Sequence, residues 1–403
     1  MAVGCIALAA ASTASAAERP LTEAVPDPAW DVVFDRADGW VGGDAIYSAP
    51  LPRGDVLWLF ADTFLGQVRD GRRQPGVRMV NNTLARHAIP PLGQTPKPAD
   101  VRFLWGSPTD ADKPQAWIRP DPKLAAGPRS GPDDWYWVAD ATLLPGAQGR
   151  ERLVVFLWRI ARAGEGAFGF KMVGSALAII DDAAADWTAW QPRQFAIPDA
   201  FPTTATREGG EPPEILWGSE LYVDTPAGAE PMLYIFGYRQ VPKQTNELIV
   251  ARVPADKLED MSQWRFRTAD DWSERTADAA ALATFLTTEF SVSRVGAGDD
   301  PRWVLVQSEP FLGARILART AKSMFGPWSE AKPIYQVPNV DPQKKHFTYA
   351  AKAHPELSRP DELLVSYVVN SFDFGESATN ANIYRPRFIR VPFSVLPEAP
   401  SAK

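Results

Sequence analysis

The chain has 403 residues, 45% of them hydrophobic, and a net charge of -7. That is enough apolar material for a packed core, which excludes a disordered protein. No Lys/Arg stripe offers a phosphate track, so a nucleic-acid partner and an anionic membrane surface are both disfavoured.

The first twenty residues, "MAVGCIALAAASTASAAERP", are apolar and then rich in small residues. Ala14-Ser15-Ala16 fits an export cleavage site, so residues 1–17 read as a signal peptide and the protein as secreted or periplasmic. The single cysteine, Cys5, lies inside that leader, which removes disulfides and thiol chemistry from the rest. No stretch is apolar for long enough to span a bilayer as a helix.

From residue 30 onward a strongly apolar strand recurs five times: "VLWLFAD", "RLVVFLWR", "MLYIFGYR", "RWVLVQSE" and "ELLVSYVVN". Each follows a turn and an earlier strand, and each is followed by a third strand after a loop of variable length. Fifteen tryptophans and 38 prolines suit such a strand-and-turn chain. Repeated meanders of this kind predict an all-β fold, a five-bladed β-propeller over residues 30–393. One helix is predicted in "DAAALATFL" at 277–285, and the tail 394–403 reads as disordered.

In the first repeat, "GGDAIYSAPLPRGDVLWLFADTF" carries Asp44 and Asp62. A hairpin pivoting at Arg53 puts each nine residues from the pivot, hence opposite one another. Directly opposed residues have Cβ atoms about 5 Å apart. Two ionised carboxylates at that separation repel by roughly 3 kcal/mol at an effective dielectric of about 20. Such a pair does nothing for folding, whereas an acid beside a nucleophile or base needs it.

Aligning the other inner strands on "GGD" places Asp140, Glu220 and Lys352 around the same channel mouth. This gives a second arrangement, an inverting hydrolase using Asp44, Asp140 and Glu220. Asn81, Asn82, Trp40, Lys352 and His354 are the expected substrate contacts, the amides bonding hydroxyls. Trp40, Trp135, Trp137 and Trp217 border the strand starts as stacking platforms. No zinc spacing, nucleophile elbow, phosphate loop or dinucleotide fingerprint is present. No organic cofactor or catalytic metal is therefore expected, although a structural cation such as calcium would suit the channel.

The segments "GWVGGDAIYSAPLPRGDVLWLFADTFLG" and "MVNNTLA" resemble the opening of a secreted bacterial β-propeller family. That family was long described as a domain of unknown function and includes endo-D-arabinanases. "FGPWSEAKPIY", "YAAKAHPEL" and "IYRPRFIRVPF" resemble its later blades. The resemblance implies a five-bladed glycoside hydrolase acting on furanoside polymers, with Asp44 and Asp62 as a retaining pair. More distant arabinanase-like propellers would instead imply the trio Asp44, Asp140 and Glu220. The rivals from other classes are a catalytically silent propeller that binds carbohydrate or protein, and a lyase or lactonase.

Overall fold

The computed structural model describes residues 23–401 apart from 90–93, 107–113, 125–130, 167, 198–213, 242–243, 297–300, 339, 341–342 and 344. The predicted leader, residues 1–17, lies outside the described residues. Among those described, no helix is long and apolar enough to cross a membrane.

The fold is all-β and antiparallel. Five meanders follow one another, each opening on an inner strand: Tyr47–Pro50, Trp135–Pro145, Glu214–Asp224, Phe290–Val295 and His346–Ala353. Their second strands are Val56–Phe60, Glu151–Arg162, Met232–Gln240, Arg302–Ser308 and Glu362–Ser371, the apolar runs legible in the sequence. Successive inner strands pack against one another. The last returns to the first through Lys352 Nζ on the Ala45 carbonyl and His354 on Ser48. The N-terminal strand Val25–Pro26 pairs with Pro386–Pro392 and completes the fifth meander with chain from the other end.

Why the second strands are apolar on both faces follows from this arrangement. In Val56–Phe60, Leu57 and Leu59 join one apolar layer, while Val56, Trp58 and Phe60 join another. In the fourth meander, Trp303 and Leu305 enter the first of those layers and Val304 and Val306 enter a third. In the fifth, Leu363 and Val365 face that third layer and Leu364 and Val368 face the second. Period-two side chains thus feed a different core on each side. The layers connect the sheets face to face in a closed ring, the arrangement of a β-propeller.

A sixth sheet is the continuation of the first hairpin beyond its break. Asp38–Gly43 pairs with Thr63–Arg69, which also pairs with Arg78–Val80 and Arg72–Arg73. Gly43 opposes Thr63 and Tyr47 opposes Leu59, so the register set by the Arg53 pivot runs through both sheets. Between them the strand breaks at Ala45 and Ile46, at φ 67° and 54°.

Two expectations differ from the structure. Residues 277–285 are not a helix: Thr276–Asp278 is a single 3-10 turn and Ala283–Leu286 is a strand on Asn246–Pro254. Alanine-rich propensity yields there to sheet pairing, with Phe285 at φ 59°. The described tail is docked rather than disordered: Leu396 is buried and the Pro397 carbonyl accepts from Thr320 Oγ1 at 2.7 Å.

Candidate functional site

The break in the first hairpin is where Asp44 and Asp62 stand. Asp44 N–H donates to the Asp62 carbonyl at 3.3 Å and Ala61 N–H to the Asp44 carbonyl at 3.2 Å, so the two residues are opposed as the pivot predicts. Both side chains line a cavity of ≈960 Å³. Its walls include the aromatic rings of Trp135, Trp137, Phe170 and Phe347.

The two carboxyls are held differently. Asp44 Oδ2 accepts from Tyr349 Oη at 2.7 Å and from Tyr384 Oη at 2.8 Å. Its Oδ1 has no partner. Burial raises the Asp44 pKa well above the usual carboxylate range, and the charges of Asp62 and Glu289 raise it further. Asp62 Oδ1 accepts from Trp137 Nε1 at 2.9 Å and Asn81 Nδ2 at 3.1 Å. Burial raises Asp62 to about 6, while those two donors and the Arg162 charge restrain the rise. The arrangement therefore offers one carboxyl that keeps its proton beside one that ionises more readily.

Tyr384 is placed by Arg73, a buried guanidinium that donates to the carbonyls of Val41, Ser377, Asn380, Ile383 and Tyr384. Gly42 is required by that approach: a Cβ there would stand 2.3 Å from Arg73 Nη2 and 2.4 Å from the Tyr384 carbonyl.

The remaining expected residues fall elsewhere. Asp140 and Glu220 do not line the cavity. They lie among the inner strands, where Asp140 accepts from Leu221 N–H at 2.7 Å and Glu220 from Val292 N–H. Burial raises both pKa values well above the carboxylate range. The physical reason is a register shift in three of the inner strands, between Val138 and Ala141, Trp217 and Glu220, and Tyr349 and Lys352. In the last two, as at the break of the first hairpin, it coincides with a left-handed residue: Gly218, Ala350 and Ala45. The residues just before them are Asp44, Trp217 and Tyr349. Glu220 and Lys352 come three places later, so an alignment on "GGD" does not hold. Lys352 is 2% exposed, and its Nζ bonds the Ala45 carbonyl at 2.5 Å, Glu289 Oε1 at 3.2 Å and the Ala350 carbonyl at 3.3 Å.

Asn82 is not a substrate contact but a buried bracket: it donates to the Ile118 and Tyr136 carbonyls and accepts from Ile118 N–H, each at 2.9 Å. Its neighbour Asn81 faces the cavity. Trp40 is a core residue stacked on Phe103 at 4.8 Å, and Trp217 is likewise buried. His354 is buried between Ser48 and Ser366, with its pKa lowered to about 3 by burial. Among the described residues no group of three or more His, Cys, Asp or Glu is placed to hold a metal ion.

Among the cavity residues that escaped the sequence reading are the three that act on Asp44: Tyr349, Tyr384 and Glu289. Glu289 immediately precedes the inner strand Phe290–Val295. Tyr349 precedes its left-handed alanine as Asp44 precedes Ala45, a parallel present in "YAAK" and "DAIY". Nothing local marks Tyr384.

No curated protein matches the chain. Among solved structures, it is similar to a protein from Bacteroides ovatus ATCC 8483 whose assignment as a hydrolase is provisional. The TM-score is 0.67 and the identity 21%, covering 92% of this chain and 90% of that one. It is also similar to the α-L-arabinofuranosidase PaAbf62A of Podospora anserina, at TM-score 0.43, 14% identity and 87% and 91% coverage. The catalytic domain of the Coprinopsis cinerea GH62 α-L-arabinofuranosidase gives TM-score 0.42, 10% identity and 88% and 97% coverage. The first likeness is one of fold alone, and the other two are too distant to argue from. A family model matches residues 27–393, nearly the whole described chain, and on that match the chain belongs to the family described as "Domain of unknown function (DUF5005)".

Proposed function

We propose that this chain is an exported five-bladed β-propeller glycoside hydrolase that cleaves furanoside linkages in an arabinan-like polysaccharide by a retaining mechanism. The observation that carries the reading is Asp44 and Asp62 opposed across one hairpin, in one aromatic cavity, with environments that separate their protonation. The hydrolase assignment of the Bacteroides ovatus protein of like fold supports the same class. An aromatic wall suits the apolar faces of sugar rings, and Asn81 and the Asp44-bound tyrosines suit their hydroxyls.

In this mechanism Asp62, ionised above about 6, attacks the anomeric carbon through the carboxylate oxygen that neither Trp137 nor Asn81 occupies. Asp44, kept protonated by burial and by two neighbouring acids, gives its proton to the leaving glycosidic oxygen as the C–O bond breaks. Water then attacks the glycosyl ester, returning a proton to Asp44 and freeing Asp62. Trp137 and Asn81 orient the attacking carboxylate, and Tyr349 and Tyr384 orient the acid.

The test is a panel of arabinans, galactans and glucans incubated with wild type, Asp44→Asn and Asp62→Asn. Proton NMR reads the anomer first formed. Cleavage with retention by wild type alone is expected. Inversion would overturn the double displacement, and binding without cleavage on every polymer would favour the binding module.

A further inference from the structure

Lys352 has no place in that mechanism, yet it is a fully desolvated ammonium three residues from Tyr349. Its three hydrogen-bond partners are informative. Two are the carbonyls of Ala45 and Ala350. These are the left-handed residues, at φ 67° and 58°, that directly follow Asp44 and Tyr349. The third is Glu289, which lines the cavity. The ammonium also sits 4.1 Å from the centroid of the Tyr47 ring, which walls it on another side.

A non-glycine residue in the left-handed region costs on the order of 1–2 kcal/mol and persists only where its surroundings over-determine it. Ile46, β-branched and at φ 54°, adds to that cost beside Ala45. A buried cation donating to both carbonyls is such a determinant. Tyr349 in turn donates to Asp44 Oδ2, so the two turns tied by Lys352 carry the two ends of one hydrogen bond at the site.

We propose that Lys352 is a positioning residue of the carboxylate site: bonded to the Ala45 and Ala350 carbonyls and paired with Glu289, it holds the two backbone turns that aim Asp44 and Tyr349 into the cavity. The charged groups around it are Glu289 and Asp44, just before the fourth and first inner strands, and Asp140 and Glu220 within the second and third, with neutral His354 below. Burial lowers the Lys352 pKa, and Glu289, Asp44 and Asp140 oppose that fall. By reciprocity the ammonium favours the ionised form of Asp44, so its loss drives Asp44 further toward the neutral acid.

The proposal rests on the glycoside hydrolase reading only in its rate measurement. Lys352→Met in the full chain keeps the length and removes the donor. Two readouts are taken: the carbon-13 titration of the Asp44 carboxyl, and kcat and KM on a glycan that wild type cleaves. A fall of about 100-fold in kcat with KM within about threefold is expected, the size of effect that a misplacement near 1 Å produces. Asp44 should titrate higher than in wild type. Lys352→Ala should recover part of its kcat with propylammonium, and Asp62→Asn should not.

An unchanged kcat together with an unchanged Asp44 titration would overturn the proposal, as would a change in KM alone. Should Lys352→Met not fold, Lys352→Gln, whose amide can still donate to a carbonyl, is read by the same titration and the same criteria. If wild type cleaves no glycan, the functional reading falls, and the Asp44 titration alone decides the role of Lys352.

Discussion

Two pairs of acids in this molecule invite comparison. Asp44 and Asp62 stand at the break of the first hairpin; Asp140 and Glu220 stand among the inner strands. Burial raises the pKa of all four, so direction of shift does not separate them. What separates them is whom they face. The inner pair accepts backbone N–H groups of the next meander, joining sheet to sheet. The hairpin pair is bound by side chains alone, lines a cavity and keeps one oxygen of Asp44 unpartnered. A perturbed acid marks a candidate site only when it also has room for a reacting atom.

The comparison can be broken by substitution, and the largest expected effect is on rate. Asp44→Asn and Asp62→Asn should each lower hydrolysis by about a thousandfold, the scale of a lost acid or base, with circular dichroism unchanged. Activity from either variant near the wild-type level would dissolve the distinction. The next effect falls on stability. Asn82→Ala strips three buried hydrogen bonds and should cost about 2–3 kcal/mol in urea unfolding. Asp140→Ala leaves Leu221 N–H unsatisfied and should cost about 1–3 kcal/mol, with kcat close to wild type. A selective loss of kcat in Asp140→Ala would instead support the three-carboxylate arrangement.

The pH dependence is smaller and sharpens the same contrast. Asp62 is raised from 3.8 to about 6 in the folded state, so the fold prefers its protonated form. Its contribution to stability is complete below about 3.8 and is lost as pH rises through about 6. Attack needs the ionised form, so kcat/KM should fall as pH drops through about 6. Asn81→Ala removes a donor to the carboxylate and should move that acidic limb upward. A limb that stays in place would remove Asn81 from the site.

Much of the fold is legible in the sequence because each second strand is apolar on both faces and long enough to be unambiguous. The hairpin register is legible because the Arg53 pivot fixes it, and Gly43–Thr63 and Tyr47–Leu59 obey the same count. The contrast between Asn81 and Asn82 is half legible: period two sends neighbours to opposite faces, but which face holds the cavity is decided by the other meanders. Placement of Asp140, Glu220 and Lys352 was not legible, because register shifts at Val138–Ala141, Trp217–Glu220 and Tyr349–Lys352 move the strands by steps that composition does not announce. Tyr384 reaches Asp44 from 340 residues away, held by Arg73, and no local pattern encodes such a contact.

Function and folding make opposite demands on Asp62, and one paired measurement exposes the conflict. Initial rate on a cleaved furanoside polymer and thermal midpoint are recorded at pH 7 for wild type and Asp62→Asn. The amide keeps the bonds to Trp137 and Asn81 and removes a disfavoured buried charge, worth on the order of 2 kcal/mol where cavity water reaches it. The account predicts a rate lower by about a thousandfold together with a higher midpoint. A retained rate, or a rate and a midpoint that fall together, would contradict it.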